Sequence, residues 1–153
     1  MTSPRILPDT PVDDVTVERL ADIFDEQGLQ YRIEGEIFRT GFSNAAIAMQ
    51  VREKTLIVDS VWRGQVPVSE GPKLLGLVNQ WNGEHYAPTL RFLESGETAL
   101  AVSAVRELHI VHGASRNQLG AFIMSSLNSI LESFHWMEEQ YPQLVTWKDE
   151  HND

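Results

Sequence analysis

Cysteine is absent from all 153 residues, which excludes a disulfide framework, a thiolate zinc site and a cysteine nucleophile. Positive charge is scarce: 12 Lys and Arg stand against 22 Asp and Glu, a formal net charge of -10. Those few cations are scattered, so a nucleic acid or an anionic membrane surface would be repelled rather than recognised. No apolar run reaches the roughly 20 residues that span a bilayer. The opening MTSPRILPDTPVDD also lacks the apolar stretch of a secretory leader. The expectation from these absences is a soluble cytoplasmic protein with no nucleic-acid or membrane partner.

What is present is enough for one compact core, since 42% of the chain is hydrophobic. Three prolines (Pro4, Pro8, Pro11) and the pair Asp13-Asp14 mark one end, and the charged WKDEHND after Thr146 marks the other. Both read as loosely held, which predicts flexible tails over 1–14 and 142–153 around a single domain at 15–141.

Thr16 is a good N-cap for VERLADIFDEQ, where Val17, Leu20, Ile23 and Phe24 share a face, with Gly28 as the left-handed stop. Between Gln30 and Val66 the period changes, and the segments 31–42, 45–52 and 55–63 read as a three-strand antiparallel meander. Ala45, Ile47, Met49 and Val51 alternate cleanly there, while Gly35 reads as a bulge or bend. Ser69 and Pro72 signal a second helix whose stripe runs through Leu74, Leu77, Val78 and Trp81. Asn82-Gly83 is expected to end it through positive φ. A hairpin follows, with strands near 86–93 and 98–106. The capping box Ser115 to Gln118 then opens a long helix, with Leu119, Phe122, Ile123, Leu127, Ile130, Phe134 and Met137 in helical period up to Pro142. At 1.5 Å per residue it would be roughly 40 Å long, more than a five-strand sheet needs, so its aromatic end is expected to overhang.

This α+β order of helix, meander, helix, hairpin and long helix resembles the YbjN family, whose fold is similar to that of type III secretion chaperones. The likeness is carried by ERLADIFDEQGLQYRIEG at 18–35, LVNQWN at 77–82, LRFLESGETAL at 90–100, and HGASRNQL leading into FHWMEE, and it extends over about 15–140. It implies a sensory-transduction regulator or peptide-binding, chaperone-like protein, and by analogy with the secretion chaperones a homodimer. It carries no catalytic set.

Enzymatic signatures fail on spacing. His109 and His112 would fall on opposite faces of a strand. Glu132-x-x-His135 matches one half of a carboxylate-bridged metal site, but a second such pair is missing. Ser43 lies in a strand-to-strand turn rather than a nucleophile elbow, and no phosphate-binding glycine loop precedes a Lys-Ser or Lys-Thr pair. Neither a metal nor a cofactor is expected. The expected function is non-enzymatic binding of a protein or peptide, with Trp62, Phe134, Trp136, Met137 and Tyr141 as partner-binding residues, because amphipathic aromatics dominate interfaces. The rival expectation is a small-molecule sensor or enzyme with a pocket between the sheet and the second helix, using Asn82, Glu84 and His85.

Overall fold

A computed structural model describes residues 8–147. Helix α1 (Val17–Glu26) precedes strands β1 (Arg32–Glu34), β2 (Ile37–Phe42), β3 (Ala45–Arg52) and β4 (Thr55–Pro67). Helix α2 (Gly71–Glu84), strands β5 (Thr89–Ser95) and β6 (Ala99–His109), and helix α3 (Arg116–Gln140) follow. The strands form one antiparallel sheet in the order β1-β2-β3-β4-β6-β5.

Alternation decides where the core lies. Ala45, Ile47 and Met49 on β3, Leu56 and Val58 on β4, and Leu100, Val102 and Ala104 on β6 are all buried. They form the row that the helices cover, through Leu20 and Phe24 of α1, Leu74 and Val78 of α2, and Ile123, Leu127 and Ile130 of α3. The residues between them face the other way, and no helix among the described residues covers that side.

Several expectations are met in detail. Thr16 caps α1 by accepting from the Arg19 amide at 3.3 Å. Ser115 and Gln118 close both halves of the α3 capping box. The hairpin expected near 86–93 and 98–106 is formed by β5 and β6, with β5 starting after Pro88, which cannot donate to the ladder.

Others are corrected. The first predicted strand is two strands, because Gly35 (φ +64) sits in a two-residue turn between the paired Glu34 and Ile37, which makes the sheet six-stranded. Ser69 does not cap α2: it lies in the 3-10 turn Val68–Glu70, and α2 starts from Glu70 with no side-chain cap. Asn82-Gly83 does not end α2 either, since the helix runs on to Glu84 with neither residue at positive φ. Asn82 is used differently, in a two-way bond to the Leu90 backbone.

The long helix has no overhang, because the sheet beneath it is longer than expected. β4 alone has 13 residues, about 43 Å of strand, and α3 finds cover along its length. Beyond it, Pro142–Leu144 forms a 3-10 turn, and Trp147 packs into the core edge-on to Trp62 at 6.0 Å. Residues 142–147 are therefore packed rather than a flexible tail.

Residues 8–14 are likewise bound, as a strap across the start of α3. The Arg116 amide donates to Thr10 Oγ1 and the Asn117 amide to Asp9 Oδ1, each at 2.9 Å. With the Ser115 cap, these bonds satisfy donors that a helix start otherwise leaves open. Asp13 bridges to Ala114, and the Arg19 guanidinium donates to the carbonyls of Asp13, Asp14 and Ala114. Gly113 is required here: its φ is +79, and a Cβ would run into the Asp13 carbonyl. The remainder of both predicted tails, 1–7 and 148–153, lies outside the described residues.

The Asn117 amide, bonded to Asp9, holds that carboxyl below the usual carboxylate range. A group with a lowered folded pKa stabilises above its unfolded value and loses that effect as pH falls through the folded one. Acidification below the ordinary aspartate range is thus expected to release the strap, seen as faster hydrogen exchange at the Arg116 and Asn117 amides; Asp9→Ala should show the same at neutral pH. At the β3–β4 turn, Glu53 (φ 47) and Lys54 (φ 65) are both left-handed. Replacing them with Asn-Gly is expected to stabilise the protein by about 1 kcal/mol in chemical denaturation.

Candidate functional site

The five aromatic and apolar residues expected at a partner surface have different fates. Trp62, Phe134, Met137 and Tyr141 are at most 1% exposed, so in a single chain they are core. Trp136 is half-buried, its ring 5.5 Å from that of Trp81.

Trp62 enters the core through an irregularity in β4. Val61 pairs with Ser103 and Gln65 with Ala101, four positions along β4 against two along β6. The surplus residues widen the strand at 62–64. Gly64 gives the indole room, because a Cβ there would strike its six-membered ring. Trp62 Nε1 donates to Glu138 Oε2 at 3.2 Å, and Asn44 Nδ2, from the β2–β3 turn, donates to the same oxygen at 2.8 Å. Glu138 is only 7% exposed, and a carboxylate so placed needs such donors. Nearby, Lys73 Nζ lies 4.7 Å from the centre of the Tyr141 ring. The Tyr141 hydroxyl is buried with no hydrogen-bond partner among the described residues, and burial, helped by the charge of Glu70, raises its pKa. These residues are enclosed in the interior of the domain.

Of the three residues expected in a pocket between sheet and α2, Asn82 and His85 are engaged with the chain itself and Glu84 is exposed. Asn82 donates to the Leu90 carbonyl and accepts from the Leu90 amide, both at 2.8 Å, which staples α2 to β5. His85 stacks on Trp81, ring centroids 3.6 Å apart, on the side facing α3. His109 Nδ1 lies 3.4 Å from Thr55 Oγ1. Among the described residues no three His, Asp or Glu side chains converge as a metal site would require, and no helix is long and apolar enough to cross a membrane.

The surface that sequence reasoning missed is the uncovered face of the sheet. Val61 and Leu93 are 43% and 57% exposed on it. Ala46 lies opposite Val61, Ala101 opposite Leu93, and the partly exposed Val105 is paired with Asp59. Its central charges neutralise one another: Arg91 Nη2 is 3.2 Å from Asp59 Oδ2, and Ser103 donates to Asp59 Oδ1. This face runs into the β5 edge. Because both Leu90 backbone groups point away from β6 to meet Asn82, the period of two turns those of Phe92 and Glu94 outward as well. No element among the described residues pairs with them. The signal in the sequence was alanine at 46 and 48, where an exposed strand face would ordinarily carry polar or charged side chains.

Two substitutions test the interior. Gly64→Ala is expected to cost about 1–3 kcal/mol, lowering the urea midpoint with an unchanged slope. Asn44→Ala should cost about 1–2 kcal/mol by removing one donor to a buried carboxylate, whereas changes at His109 should be neutral.

The model of a family described as "Putative bacterial sensory transduction regulator" matches residues 16–139. No curated protein matches the sequence. Among solved structures, the chain superposes with a TM-score of 0.73 on the crystal structure of "YbjN, a putative transcription regulator from E. coli", at 12% identity, over 88% of this chain and 98% of that one. The similarity includes the three helices and the antiparallel sheet that packs against them, and the family's description is that of a regulator. The chain belongs to the YbjN family.

Proposed function

We propose that this chain is a non-enzymatic regulatory domain that acts in the cytoplasm as a homodimer and works by binding polypeptide. The observation that carries the reading is the β5 edge, unpaired among the described residues, bordering a sheet face on which Val61, Leu93 and Ala46 are exposed. An extended peptide laid along β5 would complete the hydrogen bonds of Phe92 and Glu94, and its alternate side chains would fall beside Leu93 on the open face and Phe92 on the helical one. Asn82 limits this addition to the half of β5 beyond Leu90. Val61 with its alanine neighbours supplies a second contact region on the same face, suited to another copy of the chain. The net charge of -10 favours basic or amphipathic clients and discourages non-specific aggregation of such a face. The family's description as a regulator of signalling agrees with a role exercised through partners.

Sedimentation equilibrium of the wild type is expected to give a dimer, and Val61→Glu a monomer of unchanged fold. A wild type that stays monomeric at high concentration would remove the dimer from the reading. For the peptide, a panel screened by NMR should yield binders that slow exchange at the Phe92 and Glu94 amides; Leu93→Asp should weaken them about tenfold. Binders that leave those two amides untouched would place the client elsewhere.

A further inference from the structure

A second cleft, of about 440 Å³, lies on the opposite side of the domain between the end of α2 and the outer flank of α3. Its floor is a ladder of rings. Trp81 is fixed by the bond from its Nε1 to the Pro88 carbonyl at 3.0 Å. The His85 imidazole stacks on one side of it, 9° from parallel, and Trp136 lies at 46° on another. The rim is supplied by α3, where Glu132, His135 and Glu139 recur at three- and four-residue spacing and so share one flank.

The chemistry of the lining is one-sided. Neither Lys nor Arg contributes to it, and both fixed charges are negative. His85 Nδ1 lies 3.1 Å from the Trp81 carbonyl; a carbonyl only accepts, so this nitrogen carries the hydrogen, and in neutral His85 Nε2 is left as an acceptor. The cleft therefore combines the partly exposed indole of Trp136, two carboxylates and an imidazole acceptor. A flat cation rich in N–H donors suits such a lining: it stacks on an indole through cation–π attraction and bonds in-plane to carboxylates. A guanidinium has that shape and donor pattern, whereas an ammonium is a point donor.

We infer that this cleft is a binding site for a guanidinium group, carried as an arginine side chain of a polypeptide. A free arginine would bring its own carboxylate against Glu132 and Glu139, while a blocked peptide unit brings none. This assignment rests on the protein-binding reading only for the source of the guanidinium, and it uses a surface separate from β5.

The test uses the intact protein and intrinsic fluorescence. Of the four Trp, 62, 81 and 147 are at most 2% exposed, so Trp136 is the one open to a ligand, and its indole N–H resonance identifies it independently. An N-acetylated, C-amidated Ala-Arg-Ala peptide is expected to shift both signals saturably. The citrulline counterpart, of the same shape but uncharged, should not, and free arginine should bind more weakly. The double variant Glu132→Gln/Glu139→Gln should weaken the arginine peptide about tenfold, the effect of losing two exposed ion pairs, with an unchanged melting curve. Equal response to arginine and citrulline peptides, an unaltered affinity in the double variant, or no response at millimolar peptide would overturn the site. Tighter binding of free arginine than of the blocked peptide would overturn the polypeptide source, and neither result bears on the β5 edge.

Discussion

One carboxylate oxygen, Oε2 of Glu138, receives hydrogen bonds from two parts of the chain far apart in sequence. Asn44 comes from a hairpin turn and Trp62 from the widened stretch of β4, while Glu138 itself belongs to the last turns of α3. Were either donor lost, a buried acceptor would be left under-satisfied, so the three must be in place together. The effect is to fix the rotation of α3 about its axis. With Phe134, Met137 and Glu138 turned inward, Glu132, His135 and Glu139 have to face out, and Trp136 falls on the boundary. The chemistry of the outer cleft thus follows from the satisfaction of an inner carboxylate.

The sheet is treated unequally on its two faces. Three helices occupy one, and the interior between them is apolar but for a few hydrogen-bonded polar groups such as Glu138 and Asn44. The other holds alanines and a few larger apolar side chains among polar and charged ones, with Asp59 and Arg91 paired. Natural edge strands are usually blunted against unwanted pairing. Here the far edge is blunted, since β1 has only three residues and carries Arg32 and Glu34, and the Asn82 staple blunts half of β5. The other half carries no such device among the described residues.

Much of the fold was legible because the pattern signals were local. Periods of 3.6 and 2, the Thr16 cap and the Ser115–Gln118 box each act within a few residues. The splitting at Gly35 was less legible, since a glycine in a strand pattern serves for a bulge as well as for a turn. The burial of four expected partner residues was illegible for a different reason: Trp62, Phe134, Met137 and Tyr141 have the same composition whether they line an interface or a core. The length of β4 was the deciding quantity, and its last four residues, Gly64 to Pro67, carry no strong strand signal. The open face could have been read from Ala46 and Ala48, but small residues announce only that nothing large is needed, not what covers them.

The strap has a consequence for the order of assembly. Asp9 and Thr10 bind residues 106 to 108 positions later in the chain, and Arg19 reaches Ala114 across 95. During synthesis these early residues leave the ribosome long before their partners exist, and loop-closure entropy makes such a contact among the last to be rewarded. A nascent chain therefore carries an unattached leading segment through most of its synthesis. Proteolytic sensitivity near residues 8–14 would accordingly report whether the start of α3 has formed, which makes the segment a built-in indicator of completed folding.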